Sequence, residues 1–137
     1  MEILLLFWLA VWTVQDIRRR EIASWQPIAA AALALVGRFF DGTLLCWDTA
    51  GVMALGGLAL GLGAFSGGRF GLGDGAVCLC IGLYLGLSLS LTALVLALFL
   101  AAPVSLYLLA VRGRPAGSAI PFIPFLLAGT ALTLLLN

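Results

Sequence analysis

The sequence predicts an all-α integral membrane protein, a bundle of about six transmembrane helices, and three observations carry that prediction. Of the 137 residues 64% are hydrophobic and only 9% are charged, whereas a soluble domain devotes roughly a quarter of its residues to charge. The mean hydropathy is +1.21. The apolar residues also fall into blocks cut by short polar interruptions, and these can be set against the ~20 residues that a helix needs to cross hydrocarbon. Six blocks result, and residues 1–137 read as a single membrane-embedded domain.

The first block runs from Ile3 to about Gln15. It follows Met1 and Glu2 without a basic flank or a small-residue cleavage site, so it reads as a retained span rather than a signal peptide. The second covers about Trp25 to Phe39 and the third about Thr49 to Phe65, where Gly57 and Gly61 form a Gly-x-x-x-Gly pair suited to close helix packing. The stretch from Gly75 to Val111 is too long for one span, and Gly86, Ser88 and Ser90 mark a turn into a fifth helix. The sixth covers about Ile120 to Leu136.

Arginine placement orients the spans, because cytoplasmic loops retain positive charge. Arg18, Arg19, Arg20, Arg69, Arg112 and Arg114 fall on one face, and Arg38 alone falls on the other. The predicted location is the cytoplasmic (inner) membrane, multi-pass, with both termini outside the cytoplasm and Asp41 and Asp48 in an outer loop.

Composition excludes several chemistries. A net charge of +1 provides no basic footprint for nucleic acid. Without histidine, imidazole-dependent triads and the commonest neutral metal ligand are absent. Cys46, Cys78 and Cys80 lack zinc-ribbon spacing and read as small apolar packers. No cofactor and no metal are expected, and hydrolytic chemistry must rest on carboxylates.

Among six acidic residues, Asp16 and Asp74 stand at cytoplasmic helix ends, where an ionisable group demands a reason. Two converging carboxylates can share a proton, so that one activates water and the other polarises a carbonyl. Asp16 closes the first helix and Asp74 opens the fourth, and these opposite helix ends assign water activation to Asp74 and the shared proton to Asp16. Gly71, Gly73 and Gly75 around Asp74 leave room for an extended peptide. A purely structural alternative pairs Asp16 with an arginine of its own loop and makes Asp74 a helix cap. Two further alternatives are a noncatalytic scaffold and a small transporter, although acids at one boundary rather than mid-span argue against transport.

Three blocks, taken in order, resemble the prepilin peptidases, the Gly-x-Gly-Asp membrane aspartyl peptidases. Asp16-Ile17-Arg18 with Ile22 resembles the first motif, and Gly71-Leu72-Gly73-Asp74 the second. Ile120-Pro121-Phe122-Ile123-Pro124-Phe125 is similar to an Ile-Pro-Phe-Gly-Pro segment that opens the last span. The resemblance implies catalytic Asp16 and Asp74, support from Arg18, Gly71, Gly73 and Gly75, and a lipid-embedded prepilin or pseudopilin substrate cleaved at the cytoplasmic boundary. It matches the short form, which lacks the amino-terminal extension associated with methylation. Three departures stand out: Ala23 and Ser24 replace the usual Pro-Asn or Pro-Asp, Ala76 replaces a common lysine, and Ile123 replaces a glycine. The missing lysine is the best argument for a degenerate, noncatalytic relative serving as a scaffold in pilus or secretion-system assembly. The oligomeric state is left open.

Overall fold

The computed structural model describes residues 2–19, 25–65, 72–111, 113 and 121–137, and within them six α-helices follow one another. They are α1 (Glu2–Arg19), α2 (Trp25–Phe40), α3 (Trp47–Phe65), α4 (Leu72–Leu85), α5 (Leu87–Val111) and α6 (Ile123–Leu136). All six expected blocks are helical, with shifted ends. Helix α1 continues past Gln15 to Arg19, because hydropathy marks where apolar surface stops and not where backbone hydrogen bonding stops. Helix α4 begins at Leu72, which puts Asp74 inside the helix instead of before it.

Helix α4 is the hub, packing against α1, α2, α3 and α5, while α6 lies against α5 and α1. Residues 75–84 of α4 are buried all round except for Leu79, as expected of a helix that is apolar on every face. Helix α1 turns Leu5, Leu9 and Trp12 inward at spacings of four and three. Helix α2 buries Ala30, Ala31 and Ala34, small residues that admit α4 closely, and carries Pro27 in its first turn, where no backbone bond is lost.

The turn between α4 and α5 is a single residue, Gly86, held at φ +87°, a left-handed conformation that glycine adopts without strain. The break falls here and not at Ser88 or Ser90; Ser90 is buried in α5 and donates to the Leu87 carbonyl at 2.9 Å. Asp48 fixes the turn from α3. Its Oδ1 accepts the Leu87 amide at 2.8 Å, capping α5, and its Oδ2 forms an ion pair with Arg38 at 3.3 Å. Arg38 also donates Nε–H to the Leu83 carbonyl near the end of α4 at 2.7 Å and Nη1–H to Thr49 Oγ1 at 2.6 Å. The arginine and aspartate thus tie together α2, α3, α4 and α5 at one end of the bundle.

Glycine packing differs from the sequence expectation. Gly57 and Gly61 have open space where a side chain would stand, so this pair makes no close contact among the described residues. The close approaches lie elsewhere: Gly56 against Leu79, Gly82 against Val52, and Gly75 against the backbone of Ala59 and Leu60. Between α5 and α6, Gly129 sits over Ala93 and Ala97.

The outer surface is apolar along the helices, with Phe65 94% exposed, Phe99 74% and Leu135 83%. Helix α5, with 25 residues at a hydropathy of 2.5, is the one described helix long and apolar enough by itself to cross a bilayer; α2, α4 and α6 are shorter apolar helices.

These contacts predict opposite effects for two glycines. A Cβ at Gly129 would stand 2.5 Å from the Ala93 carbonyl oxygen, so Gly129→Val should force α5 and α6 apart and destabilise the protein by about 1–3 kcal/mol. Gly57→Ala fills open space and should be neutral or stabilising by up to ~1 kcal/mol. Thermal unfolding in detergent, followed by circular dichroism, measures both, and the reverse order would contradict this packing.

Candidate active site

The end of the bundle opposite Arg38 and Asp48 gathers the carboxyl end of α1 and the amino ends of α4 and α6. Asp16 lies in the last turn of α1 and extends the inward stripe of Leu5, Leu9 and Trp12 by four residues. Asp74 is the third residue of α4, in the turn whose amides have no partner within the helix. The chain folds back three times between them, yet the charge of Asp16 acts directly on Asp74. The structure therefore brings the two aspartates singled out in the sequence into one site.

Helix α6 supplies a third component. Its amino end has Phe122 at the cap position without a side-chain cap, followed by Ile123 and then Pro124, which fits the first turn because it has no amide to leave unpaired. The backbone amide of Ile123 faces the Asp16 carboxylate. Asp16 therefore meets two helix ends, the carboxyl end of its own α1 and the amino end of α6, so the contrast expected from the sequence is offset at this residue. Helix ends no longer distinguish base from acid, and a coupled pair of this kind titrates as a unit.

Among the supporting residues the glycines diverge. Gly73 is half-buried beside Asp74 in the first turn of α4. Gly75 does not belong to a loop: it is buried within α4, and a Cβ there would stand 3.1 Å from the backbone of Ala59 and Leu60. Its role is to seat α4 on α3, which sets the position of Asp74. Gly71 lies outside the described residues, as do Ser66, Gly67, Gly68 and Arg69 of the same segment, Arg20, Ser24, Arg112, Arg114 and Ile120.

Arg18 is exposed on α1. The one ion pair among the described residues is Arg38–Asp48, so neither Arg18 nor Arg19 neutralises Asp16. Asp74 stands within the first turn of α4, two residues after Leu72. Ala76, at the position of the family's lysine, is 3% exposed, and a lysine there would have to thread its stem through packed core.

Sequence reasoning missed several neighbours. Cys78 follows Asp74 by one turn, is buried, and feels its charge. Trp12 Nε1, Thr13 Oγ1 and Gln26 Oε1 are buried polar atoms without a hydrogen-bond partner among the described residues, as is Asp16 Oδ2. The four-residue spacing of Trp12 and Asp16 was the available signal, but a tryptophan in an apolar helix reads as packing. No group of three or more metal-ligating side chains occurs among the described residues.

A family model described as the Type IV leader peptidase family matches residues 3–106, well over half of the chain and including both aspartates. The Ile120–Phe125 block lies beyond the matched residues. Comparison with curated proteins finds no match. Comparison with solved structures likewise finds none.

Burial of α4 beside the aspartates can be read by thiol chemistry. Cys46 is exposed, whereas Cys78 and Cys80 are buried. Maleimide should modify one cysteine per chain in the native protein in mild detergent and three after denaturation, as counted by mass spectrometry. Rapid native labelling of Cys78 would contradict the packing around Asp74.

Proposed function

The chain belongs to the type IV leader peptidase family, and from that premise we propose that it is a membrane aspartyl endopeptidase that removes the cytoplasmic leader of a membrane-inserted prepilin or pseudopilin. The observation that carries this reading is the convergence of Asp16 and Asp74 from α1 and α4 at one end of the bundle, close enough for the charge of one to act on the other. The whole chain serves as one membrane-embedded domain. Its apolar outer surface and the length of α5 support that setting. In the sequence six of the seven arginines follow the first, third or fifth apolar block, and this supports a cytoplasmic site in the inner membrane.

The chemistry follows from two carboxyl groups sharing one proton. The ionised carboxylate takes a proton from water as the water oxygen bonds to the scissile carbonyl carbon, and the protonated partner gives its proton to the carbonyl oxygen. The tetrahedral diol then collapses. Its C–N bond breaks, the leaving amine takes the proton first removed from water, and the other carboxylate recovers a proton from a diol hydroxyl. The products are the leader's new carboxyl terminus and the pilin's new amino terminus, and the pair is again singly protonated. Ala76 in place of the lysine favours a second reading, a noncatalytic scaffold in the same assembly, and turnover separates the two.

Cleavage of a prepilin-like peptide by the purified protein in lipid or detergent is the direct test. Asp16→Asn and Asp74→Asn should each lower kcat by at least about 10³-fold with helical content unchanged, because neither carboxylate can replace the other. Asp41→Asn, at the opposite end, should retain activity. Wild-type rates from either aspartate variant would end the aspartyl reading.

Orientation is tested separately by labelling in intact cells and inverted vesicles. The native Cys46 should react with an impermeant thiol reagent from outside the cytoplasm. In a Cys46→Ser background, a cysteine introduced beside Arg112 should react from the cytoplasmic side. The opposite pattern would place the aspartates away from any cytoplasmic leader.

A further inference from the structure

We propose that Trp12 and Thr13 hold a buried water molecule beneath Asp16, which anchors Oδ2 of that carboxylate and fixes its orientation in the site. The inference deepens the peptidase reading and depends on it only for the functional consequence. Its basis is a set of unmet hydrogen bonds. Trp12 Nε1, Thr13 Oγ1 and Asp16 Oδ2 are each sealed from solvent and have no partner among the described residues.

Helix geometry places the three together. Side chains in an α-helix tilt toward its amino end, so Asp16 lies over the turn that contains Trp12 and Thr13. These residues precede it by four and three positions, the spacings at which helical side chains become neighbours, about 5–6 Å apart at Cβ. Trp12 is wholly buried at 0% exposure, and its ring stacks on Trp8 with centroids 5.8 Å apart, which restrains the indole from swinging toward solvent.

The chemistry of the three atoms identifies the ligand. An indole N–H donates only, an ionised carboxylate oxygen accepts only, and a hydroxyl does either. A molecule that joins all three must accept from Trp12, donate to Asp16 and bond the hydroxyl of Thr13. Water does this with three hydrogen bonds, the usual number for a buried water.

Thr13 differs from two other helical threonines, Thr92 and Thr133, although Thr130 on α6 likewise has no hydrogen-bond partner among the described residues. Thr133 donates back to the Gly129 carbonyl at 2.8 Å and Thr92 to that of Ser88 at 3.1 Å, each four residues earlier. Thr13 makes no such bond and keeps its hydroxyl available. Trp12 and Thr13 are thus positioning residues, acting on Asp16 through the water and touching no substrate.

The test uses the full chain in detergent micelles with ¹⁵N-labelled indoles, the Trp12 resonance being assigned by its loss in Trp12→Phe. A magnetisation-transfer cross-peak from the Trp12 N–H to water is expected in the wild type, should be lost in Thr13→Val and should persist in Thr13→Ser. Its absence from the wild type, or its persistence in Thr13→Val, overturns the proposal. In peptide cleavage, Thr13→Val should lower kcat roughly tenfold, the equivalent of one hydrogen bond to a charged group, with KM unchanged. Thr13→Ser should restore the rate, and Thr92→Val should leave it unaltered. Loss of the water with an unchanged kcat overturns the positioning role. If the wild type cleaves no leader peptide, the peptidase reading fails while the water cross-peak still decides whether the site exists.

Discussion

The close seating of α4 on α3 is the constraint from which the rest of the architecture follows. Three glycines remove the side chains that would hold the two helices apart: Gly56 beneath Leu79, Gly82 beneath Val52, and Gly75 against the backbone of Ala59 and Leu60. Where backbones approach this closely, the helices gain dense van der Waals contact along the seam. With α4 held this way, its remaining faces are left for α1, α2 and α5, and Asp74 in its first turn is carried to a fixed height in the bundle.

The two ends of the bundle use their polar groups differently. At one end Arg38 and Asp48 satisfy each other and also the backbone, taking the Leu83 carbonyl and the Leu87 amide that flank the one-residue turn at Gly86. Every part of that cluster is paired, and its effect is to lock register among α2, α3, α4 and α5. At the other end polar atoms of Asp16, Trp12, Thr13 and Gln26 are buried without partners among the described residues, an arrangement that costs stability. One end holds the fold, and the other is held by it.

The departures from the family pattern acquire physical meaning in this setting. Ile123 replaces a glycine, yet what reaches Asp16 is its backbone amide, which any residue other than proline supplies, while its side chain fills the core at 0% exposure. Ala76 occupies a packed position on α4, where a methyl group fits and an ammonium would need a partner. The first substitution keeps the backbone group that faces the carboxylate. The second places a buried methyl group where the resemblance implies a lysine.

Composition and block length sufficed to determine six helices, and the Gly-x-Gly-Asp and Asp-x-Arg patterns sufficed to single out Asp16 and Asp74, because hydropathy and short motifs are local properties. Helix ends were less legible, as α1 shows by running through its polar residues to Arg19. The glycine contacts could not be read locally at all: Gly57 and Gly61 have the right spacing but face outward, and which glycine meets a neighbour depends on helix rotation. Asp48 looked like an ordinary loop acid until the fold brought Arg38 and Leu87 to it across 10 and 39 residues of chain. The same holds for the amide of Ile123 at Asp16. What only the tertiary structure decided were the contacts between groups far apart in sequence, since these arise from how whole helices pack and no local pattern of residues encodes that geometry.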